Sequence, residues 1–232
     1  MKAAGALGIL AEEVACCRKC PRLVSYRERV AREKRRAFRE WEYWGCGVPG
    51  FGDPRAELFI LGLAPAAHGA NRTGRVFTGD RSGDFLYKAL YKAGFANQST
   101  SKHRDDGLRL KNAYIAAAVR CAPPENKPLP KEILNCRPYF ERELAILRPR
   151  AILALGRIAW DAYLDLLKQQ SKIASRAPYP FSHGAEAEIA AELPRFFGVF
   201  HPSQQNTQTG RVTEAMYAKV LSRIQKFLAV PS

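Results

Sequence analysis

Two pairs of cysteines could hold a metal centre between distant parts of the chain. Cys17 and Cys20 form a Cys-x2-Cys spacing, which lets both sulfurs bind the same centre. Cys121 lies at the end of a predicted strand, and Cys136 lies on the apolar stripe of a predicted helix, so that it points inward. Four thiolates suit either zinc or an iron–sulfur cluster. Buried structural cysteines without a metal are the third interpretation.

A segment rich in small residues runs from Gly62 to Asp80 and could contact a planar ligand. Small residues allow backbone amides to approach such a ligand closely. Phe77 could stack on the ligand, or it could be an ordinary core side chain. Asp80 precedes a predicted helix, so it could act on a substrate or only cap that helix. We expect His68, in the same segment, to be a surface histidine of the loop.

Two further loops carry polar side chains directly after apolar runs. Asn126 lies in a proline-rich loop, where asparagine is usually a turn former. His201 follows a strand-like run and begins His-Pro-Ser, so it is either a buried core histidine or a ligand contact. These loops and the small-residue segment need a scaffold that places them at one edge.

That scaffold is predicted by an alternation of strand-like and helix-like segments after residue 57. Each strand-like run is followed by a segment with helical periodicity, which favours parallel strands with helices on both faces. In such sheets the ligand site lies beyond the carboxyl ends of the strands. We therefore predict a three-layer α/β/α fold with a central four-stranded parallel sheet, its strands at Leu58–Leu63, Ala113–Val119, Ala151–Leu155 and Phe196–Phe200.

Residues 1–50 are predicted to form an N-terminal helical segment that carries the first cysteine pair. Residues 18–40 contain ten Lys and Arg against three Glu, and their apolar positions recur at helical spacing. The pattern indicates a surface helix whose basic face is solvated, with a DNA-facing surface as the alternative.

Composition sets limits on the class of protein. The chain has 232 residues, 47% of them hydrophobic, which suits one domain over residues 1–232 with a full core. Its net charge of +15 attracts polyanions, of which nucleic acid is the first candidate. No apolar run is long enough to span a membrane, and no signal peptide is evident, so we expect a cytoplasmic protein. Cys16 and Cys46 are then expected to be ordinary reduced thiols.

Four stretches and the cysteine quartet resemble the uracil-DNA glycosylase superfamily, specifically its iron–sulfur family 5 (the B type). The similarity extends from residue 17 to about residue 215. The stretches are Gly62-Leu63-Ala64-Pro65, Gly74-Arg75-Val76-Phe77-Thr78-Gly79-Asp80, Arg120–Pro128 and His201-Pro202-Ser203.

The resemblance implies a 4Fe-4S cluster and a base pocket. The cluster would be structural and bound by Cys17, Cys20, Cys121 and Cys136. Phe77 would stack on the base, Asp80 would be the leading catalytic candidate, Asn126 would belong to the active site, and His201 would donate a hydrogen bond to the base. The remaining residues implied are Gly62, Leu63, Ala64 and Ala117 as pocket lining, and Arg75, Ser203, Gln204, Gln205, Asn206 and Arg211 as DNA contacts.

Three pocket positions depart from other members of the superfamily. Leu63 and Ala64 stand where most members have a polar or acidic side chain that positions water, and Ala117 stands where family 4 has an asparagine that reads uracil. A pocket without a fixed amide rejects other bases less strongly. The resemblance therefore implies excision of hypoxanthine, and of xanthine as a further candidate, besides uracil.

The function expected from these features is that of a monofunctional glycosylase. It would flip a deaminated base out of DNA, hydrolyse the N-glycosidic bond and leave an abasic site. We expect a monomer that associates with the nucleoid by binding DNA. Two alternatives are a non-catalytic nucleic-acid-binding protein that keeps the metal, and a nucleotide hydrolase. The second alternative has no Gly-x4-Gly-Lys-Ser/Thr motif to support it.

Overall fold

A six-stranded sheet forms the centre of the computed structural model, which describes residues 2–230. The strand order is β1-β3-β2-β4-β6-β5. The four inner strands pair in parallel, whereas β1 and β5 pair antiparallel at the two edges. The strands are β1 (Phe51–Gly52), β2 (Leu58–Gly62), β3 (Ala113–Ala117), β4 (Ala151–Leu155), β5 (Glu186–Ala187) and β6 (Arg195–Val199).

The predicted parallel sheet is therefore confirmed as the inner part of a larger, mixed sheet. The prediction of only four strands was wrong because each edge strand has two residues, too few to show an apolar pattern. The strand predicted at residues 113–119 ends at Ala117, although the backbone N–H groups of Ala118 and Val119 still donate to the carbonyls of Gly62 and Leu63 at 2.9 Å. Cys121 consequently lies in the loop after the strand.

Helices cover both faces of the sheet, as the three-layer prediction requires. Residues of β2 alternate between two cores because successive side chains of a strand point to opposite faces. Leu58 and Ile60 pack with α4 and α8, and Phe59 and Leu61 pack with α5 and α6. The helices are α1 (Ala3–Cys16), α2 (Pro21–Glu33), α3 (Ala70–Thr73), α4 (Arg81–Lys92), α5 (Pro130–Leu147), α6 (Arg157–Gln169), α7 (Gln204–Gln208) and α8 (Glu214–Ala229).

The N-terminal segment is helical only in part. Helix α2 ends at Glu33, where Lys34 takes a positive φ of 52°, so the predicted helix over residues 18–40 was wrong for residues 34–40. Residues 34–44, here called the arm, contain a short 3₁₀ turn at Arg36–Phe38. The arm reaches α3, where the N–H of Trp44 donates to the carbonyl of Arg72 at 2.9 Å. Within residues 2–230, no helix has both the length and the apolar character needed to cross a membrane.

Candidate active site and cysteine site

A cavity of about 430 Å³ opens at the carboxyl ends of β2, β3 and β6 and is called the strand-end pocket. Its size is that of a typical small-ligand site. Five further residues also line it but were not predicted to be pocket residues, namely Pro65, Ala66, Val76, Arg81 and Ser82. The predicted residues that line it are Leu63, Ala64, Phe77, Asp80, Ala117, Asn126, His201, Ser203, Gln204 and Gln205.

Phe77 presents its ring to the pocket from an unusual backbone conformation. Its φ is 51°, in the left-handed region that non-glycine residues rarely adopt. Gly62 does not line the pocket but lies behind this ring, since a Cβ at Gly62 would be 2.7 Å from Cε2 of Phe77. The ring is half-buried and packs against the core. Phe77 is therefore partly a core side chain and partly a side chain that lines the pocket. It remains available to stack on a planar ligand.

Asp80 both caps α4 and faces the pocket. Its Oδ1 atom accepts a hydrogen bond from the N–H of Gly83 at 2.9 Å. Gly69 packs against the other carboxylate oxygen so closely that a Cβ at Gly69 would overlap it. Burial raises the pKa of Asp80, although the N–H groups of Gly83 and Ser82 oppose the shift. The carboxylate is thus hydrogen-bonded by backbone groups alone, and its Oδ2 atom takes no part in capping α4.

His201 is held as a neutral imidazole on the other side of the pocket. Burial lowers the pKa of His201 to about 4, so its ring is uncharged at neutral pH. The ring centroid is 5.9 Å from that of Phe77, with 34° between the two planes. The amide of Asn206 donates to the backbone carbonyl of His201 at 2.8 Å, which fixes the loop. A neutral ring in this position can donate one N–H to a ligand.

Asn126 lies at the rim of the pocket. Both Asn126 and the preceding Glu125 have left-handed φ values, 57° and 54°. The turn exposes the Asn126 side chain while keeping it on the pocket wall. The turn-former and site interpretations are therefore both compatible with its position.

The predicted DNA contacts divide into three groups. The first group is residues 203–206. Ser203 caps α7 by accepting the N–H of Asn206 at 3.3 Å, Gln204 and Gln205 extend from this short helix at the pocket mouth, and Asn206 does not line the pocket. Arg211 is exposed outside the pocket, with its guanidinium carbon 4.9 Å from the centroid of Phe200. The third group is Arg75 alone, which the structure places elsewhere.

Arg75 is buried, with 4% of its surface exposed. Its guanidinium donates to Thr78, to Ser101, to the backbone carbonyl of Arg104, and to the carboxylate of Asp106 at 2.8 and 2.9 Å. These bonds use its donors within the protein, so the predicted DNA contact of Arg75 was wrong. The partner loop at residues 101–106 is distant in sequence, which is why the sequence did not reveal the pairing.

A second cavity of about 770 Å³ adjoins the strand-end pocket and shares Asp80 with it. His68 lies on its wall, where the ring Nδ1 is 3.1 Å from the hydroxyl of Tyr43. Phe38 and Trp41 of the arm and the buried Arg72 line the same cavity. None of these three residues was predicted as part of a site, and Trp41 was assigned to the helical pattern of residues 18–40 instead.

The four cysteines of the predicted quartet surround one small space next to α2, here called the cysteine site. Cys20, Cys121 and Cys136 are buried. Burial raises the pKa of the Cys121 thiol to about 11 and that of Cys136 to about 12. Four thiolates at this site would therefore need a compensating positive charge. In residues 2–230, no three His, Cys, Asp or Glu side chains form a group that could hold a single metal ion.

Polar donors surround the cysteine sulfurs. Nη1 of the buried Arg27 donates to Sγ of Cys121 at 2.8 Å, and the amide of Asn135 donates to Sγ of Cys20 at 3.3 Å. The Nε atoms of Arg27 and Arg120 are buried without a hydrogen-bond partner. Such donors and positive charges would stabilise thiolates or a negatively charged cluster. The residues present therefore fit a thiolate-bound metal cluster.

Comparison with known proteins points to one family. A family model described as the uracil DNA glycosylase superfamily matches residues 49–225. The chain is 50% identical over 230 residues to the type-5 uracil-DNA glycosylase of Mycobacterium tuberculosis, with 98% of this chain and 84% of that protein covered. It is 48% identical to that of Mycobacterium leprae, covering 98% of both chains. Identity to that of Thermus thermophilus is 47%, covering 93% and 95%.

Proposed function

The chain belongs to the uracil DNA glycosylase superfamily, and from this premise we propose that it excises uracil from DNA by hydrolysing the N-glycosidic bond. One observation carries the proposal. A carboxylate, a neutral histidine and an aromatic ring face the same cavity at the carboxyl edge of the sheet. The formal charge of +15 favours binding to the DNA backbone.

The reaction begins with a base that leaves the helix and enters the strand-end pocket. Phe77 stacks on the base, and the neutral His201 ring donates an N–H to a base oxygen. When the bond between sugar and base breaks, its electron pair leaves with the base, and His201 stabilises the negative charge that develops there.

Asp80 acts on the sugar side of the same bond. Its ionised carboxylate stabilises the positive charge on the sugar and accepts a hydrogen bond from the attacking water. The water oxygen bonds to the sugar carbon, the water proton passes to Asp80 and then to solvent, and the base anion takes up a proton. The products are the free base and an abasic site.

The strand is not expected to be cut. Strand cleavage by a glycosylase needs an amine that forms a Schiff base with the sugar. No lysine is among the described residues that line the strand-end pocket. The enzyme is therefore proposed to be monofunctional.

We extend the proposal to hypoxanthine, with xanthine as a further substrate. Leu63, Ala64 and Ala117 line the pocket with apolar side chains. Apolar lining imposes little hydrogen-bond penalty on a base with different edge groups. Cytosine must still be rejected, since a repair enzyme that removed cytosine at a rate comparable to that of uracil would damage DNA.

We also propose that the cysteine site holds a 4Fe-4S cluster. Each of the four cysteines that surround the cysteine site would bond a different iron. The cluster would supply a covalent link between the N-terminal segment and the loop after β3, and the excision steps do not use it. Arg27 and Asn135 would donate to its cysteine sulfurs.

The first experiment is a cleavage assay on end-labelled duplexes containing uracil opposite guanine or adenine, hypoxanthine opposite thymine, or cytosine opposite guanine. We expect alkali-labile sites at uracil and hypoxanthine, none at cytosine, and no cut before alkali treatment. Cleavage should be suppressed in Asp80→Asn and His201→Ala. Intact uracil strands from a protein that still binds DNA would contradict the proposed activity and support a binding protein instead. Iron and acid-labile sulfide at about four of each per chain would support the cluster, whereas stoichiometric zinc would contradict it.

A further inference from the structure

Arg72 is a buried cation that has no carboxylate hydrogen-bonded to it. Only 3% of its surface is exposed. Its side chain takes part in none of the ion pairs found within residues 2–230. Its Nη1 atom is buried without a hydrogen-bond partner. Burying a charge in this way costs free energy, so the residue needs an explanation other than stability.

The two hydrogen bonds that Arg72 does make bracket the Asp80 carboxylate. Its Nε donates to the carbonyl of His68, and its Nη2 donates to the carbonyl of Gly79, both at 2.8 Å. His68 directly precedes Gly69, and Gly79 directly precedes Asp80. Gly69 and Asp80 are themselves in contact, because Gly69 packs against the carboxylate oxygen that does not cap α4. Arg72 thus joins the two segments whose contact fixes that oxygen.

Two aromatic rings of the arm pack against the guanidinium of Arg72. The guanidinium carbon lies 3.9 Å from the ring centroid of Phe38 and 3.9 Å from that of Trp41. Aromatic faces on a planar cation restrict its rotation and attract its charge. The N–H of Trp44 in the arm also donates to the backbone carbonyl of Arg72, and the N–H of the following Gly45 donates to that of Asn71.

We propose that Arg72 is a positioning residue for Asp80 and that Phe38 and Trp41 of the arm act through Arg72. The inference rests on the proposed function in one respect, namely that Asp80 acts in excision. It assigns the arm a part in the chemical step, although neither arm residue lines the strand-end pocket.

The test separates the chemical step from DNA binding. In Arg72→Met, the single-turnover rate of uracil release should fall roughly 10- to 100-fold, the scale expected when a catalytic group is displaced by about 1 Å. The Kd for a duplex carrying a reduced, uncleavable abasic analogue should change less than about threefold, well under one decade of affinity. Arg72→Lys keeps the charge but cannot bridge both carbonyls, so its rate should lie between those of wild type and Arg72→Met.

A double-mutant cycle tests whether the arm acts through Arg72. Trp41→Ala should slow release in the wild-type background and add little in the Arg72→Met background, because coupled residues are not additive. Phe227→Ala is the matched control. That ring is approached by Arg150 and Arg195, and its removal should lower thermal stability without changing the release rate.

Several outcomes would overturn the inference. Equal losses of rate and affinity in Arg72→Met would make Arg72 a DNA-binding residue, and additive effects of Trp41→Ala would exclude action through Arg72. An unchanged rate in Arg72→Met would reject the inference while leaving the proposed function intact. A wild-type protein without uracil release would instead reject the proposed function. If Arg72→Met does not fold, the inference is tested with Arg72→Lys and Trp41→Phe. In these variants too, the rate of uracil release should fall more than the affinity for the abasic-analogue duplex.

Discussion

The strand-end pocket and the cysteine site lie in the same part of the molecule but use their polar groups in opposite ways. In the pocket, the backbone N–H of Gly83 holds the Asp80 carboxylate and the side-chain amide of Asn206 holds the backbone of His201, while both side chains line a cavity. At the cysteine site, the sulfurs face one another and receive hydrogen bonds from Arg27 and Asn135. The first arrangement leaves bonding capacity for a ligand that comes and goes. The second suits a permanent occupant.

The two regions are nevertheless connected. The loop after β3 carries Cys121 at the cysteine site and Asn126 at the rim of the pocket. A second link runs through α2, where the backbone carbonyl of Arg27 accepts a hydrogen bond from the buried amide of Asn71 at 3.2 Å. A substitution at the cysteine site should therefore also disturb the pocket, because the two share the loop after β3 and are linked through α2. A substitution in the pocket should leave the cysteine site intact. The predictions below test this asymmetry.

The largest expected effect is the loss of activity in Asp80→Asn. Asparagine keeps an acceptor for the N–H of Gly83, so the cap on α4 remains while the charge is lost. Single-turnover excision of uracil should fall by about 10²- to 10⁴-fold. Iron content should not change, which confines the damage to the pocket. A variant with more than a tenth of wild-type activity would contradict the role given to Asp80.

The same variant should be more stable than wild type at neutral pH. Burial raises the pKa of Asp80, so the folded state binds this proton more tightly than the unfolded state does. The stabilising contribution of the protonated carboxyl is present at low pH and is lost as the pH rises through the folded-state pKa. Replacing the charged group with an amide should therefore raise Tm at pH 7, and the gain should shrink as the pH is lowered.

The second effect in size is that of Cys136→Ser, which tests the other region. Loss of one sulfur should abolish the iron content and destabilise the fold by about 3–5 kcal/mol, in the range seen when a metal site is lost. Excision should fall together with the folded fraction. Cys46→Ser is the control, because Cys46 does not line the cysteine site. Full stability and activity in iron-free Cys136→Ser would show that the two regions are independent.

The pH dependence of excision should be governed by Asp80 alone on the acid side. Asp80 is faced by Asp84 from its own helix, by Arg72 from α3 and by His201 across the pocket. His201, with a pKa lowered to about 4, stays neutral through the range in which enzymes are assayed. The rate should therefore fall about tenfold per pH unit below the raised pKa of Asp80. The residual activity of Asp80→Asn should not fall in this way at low pH. If the acid-side fall in rate persists in Asp80→Asn, another group causes it.

The comparison also shows which features were predictable from the sequence. Apolar runs with no polar interruption specified the inner strands, and Ala151–Leu155 was predicted to the residue. Because parallel strands end at one edge, the predicted parallel sheet was enough to bring together the loops that carry Leu63, Asn126 and His201. The place of Asp80 at the pocket was implied by the family resemblance and not by the strand pattern. Features that depend on partners distant in sequence were not predictable.

Arg75 and Arg72 illustrate this limit. Both are buried arginines of the same segment, yet Arg75 is bonded to Asp106 and Arg72 lies between two rings of the arm. Nothing in the local sequence distinguishes them, since the difference is set by loops that fold back from elsewhere. For the same reason Ala37, Trp41 and Trp44 continued the helical spacing in the sequence, although the helix ends at Glu33.

The smallest expected effect concerns the ring of Phe77 in the strand-end pocket. In Gly62→Ala, the new Cβ would lie 2.7 and 2.9 Å from two carbons of the Phe77 ring, so the ring must move towards the cavity. We expect excision to slow by about 3- to 10-fold, since the stacked base is displaced by less than 1 Å. Gly8→Ala in α1 is the matched control. No atom lies within 4 Å of its added Cβ, so it should leave the rate unchanged and stabilise the helix by up to about 1 kcal/mol. Equal rates in both variants would mean that Phe77 does not determine the position of the base.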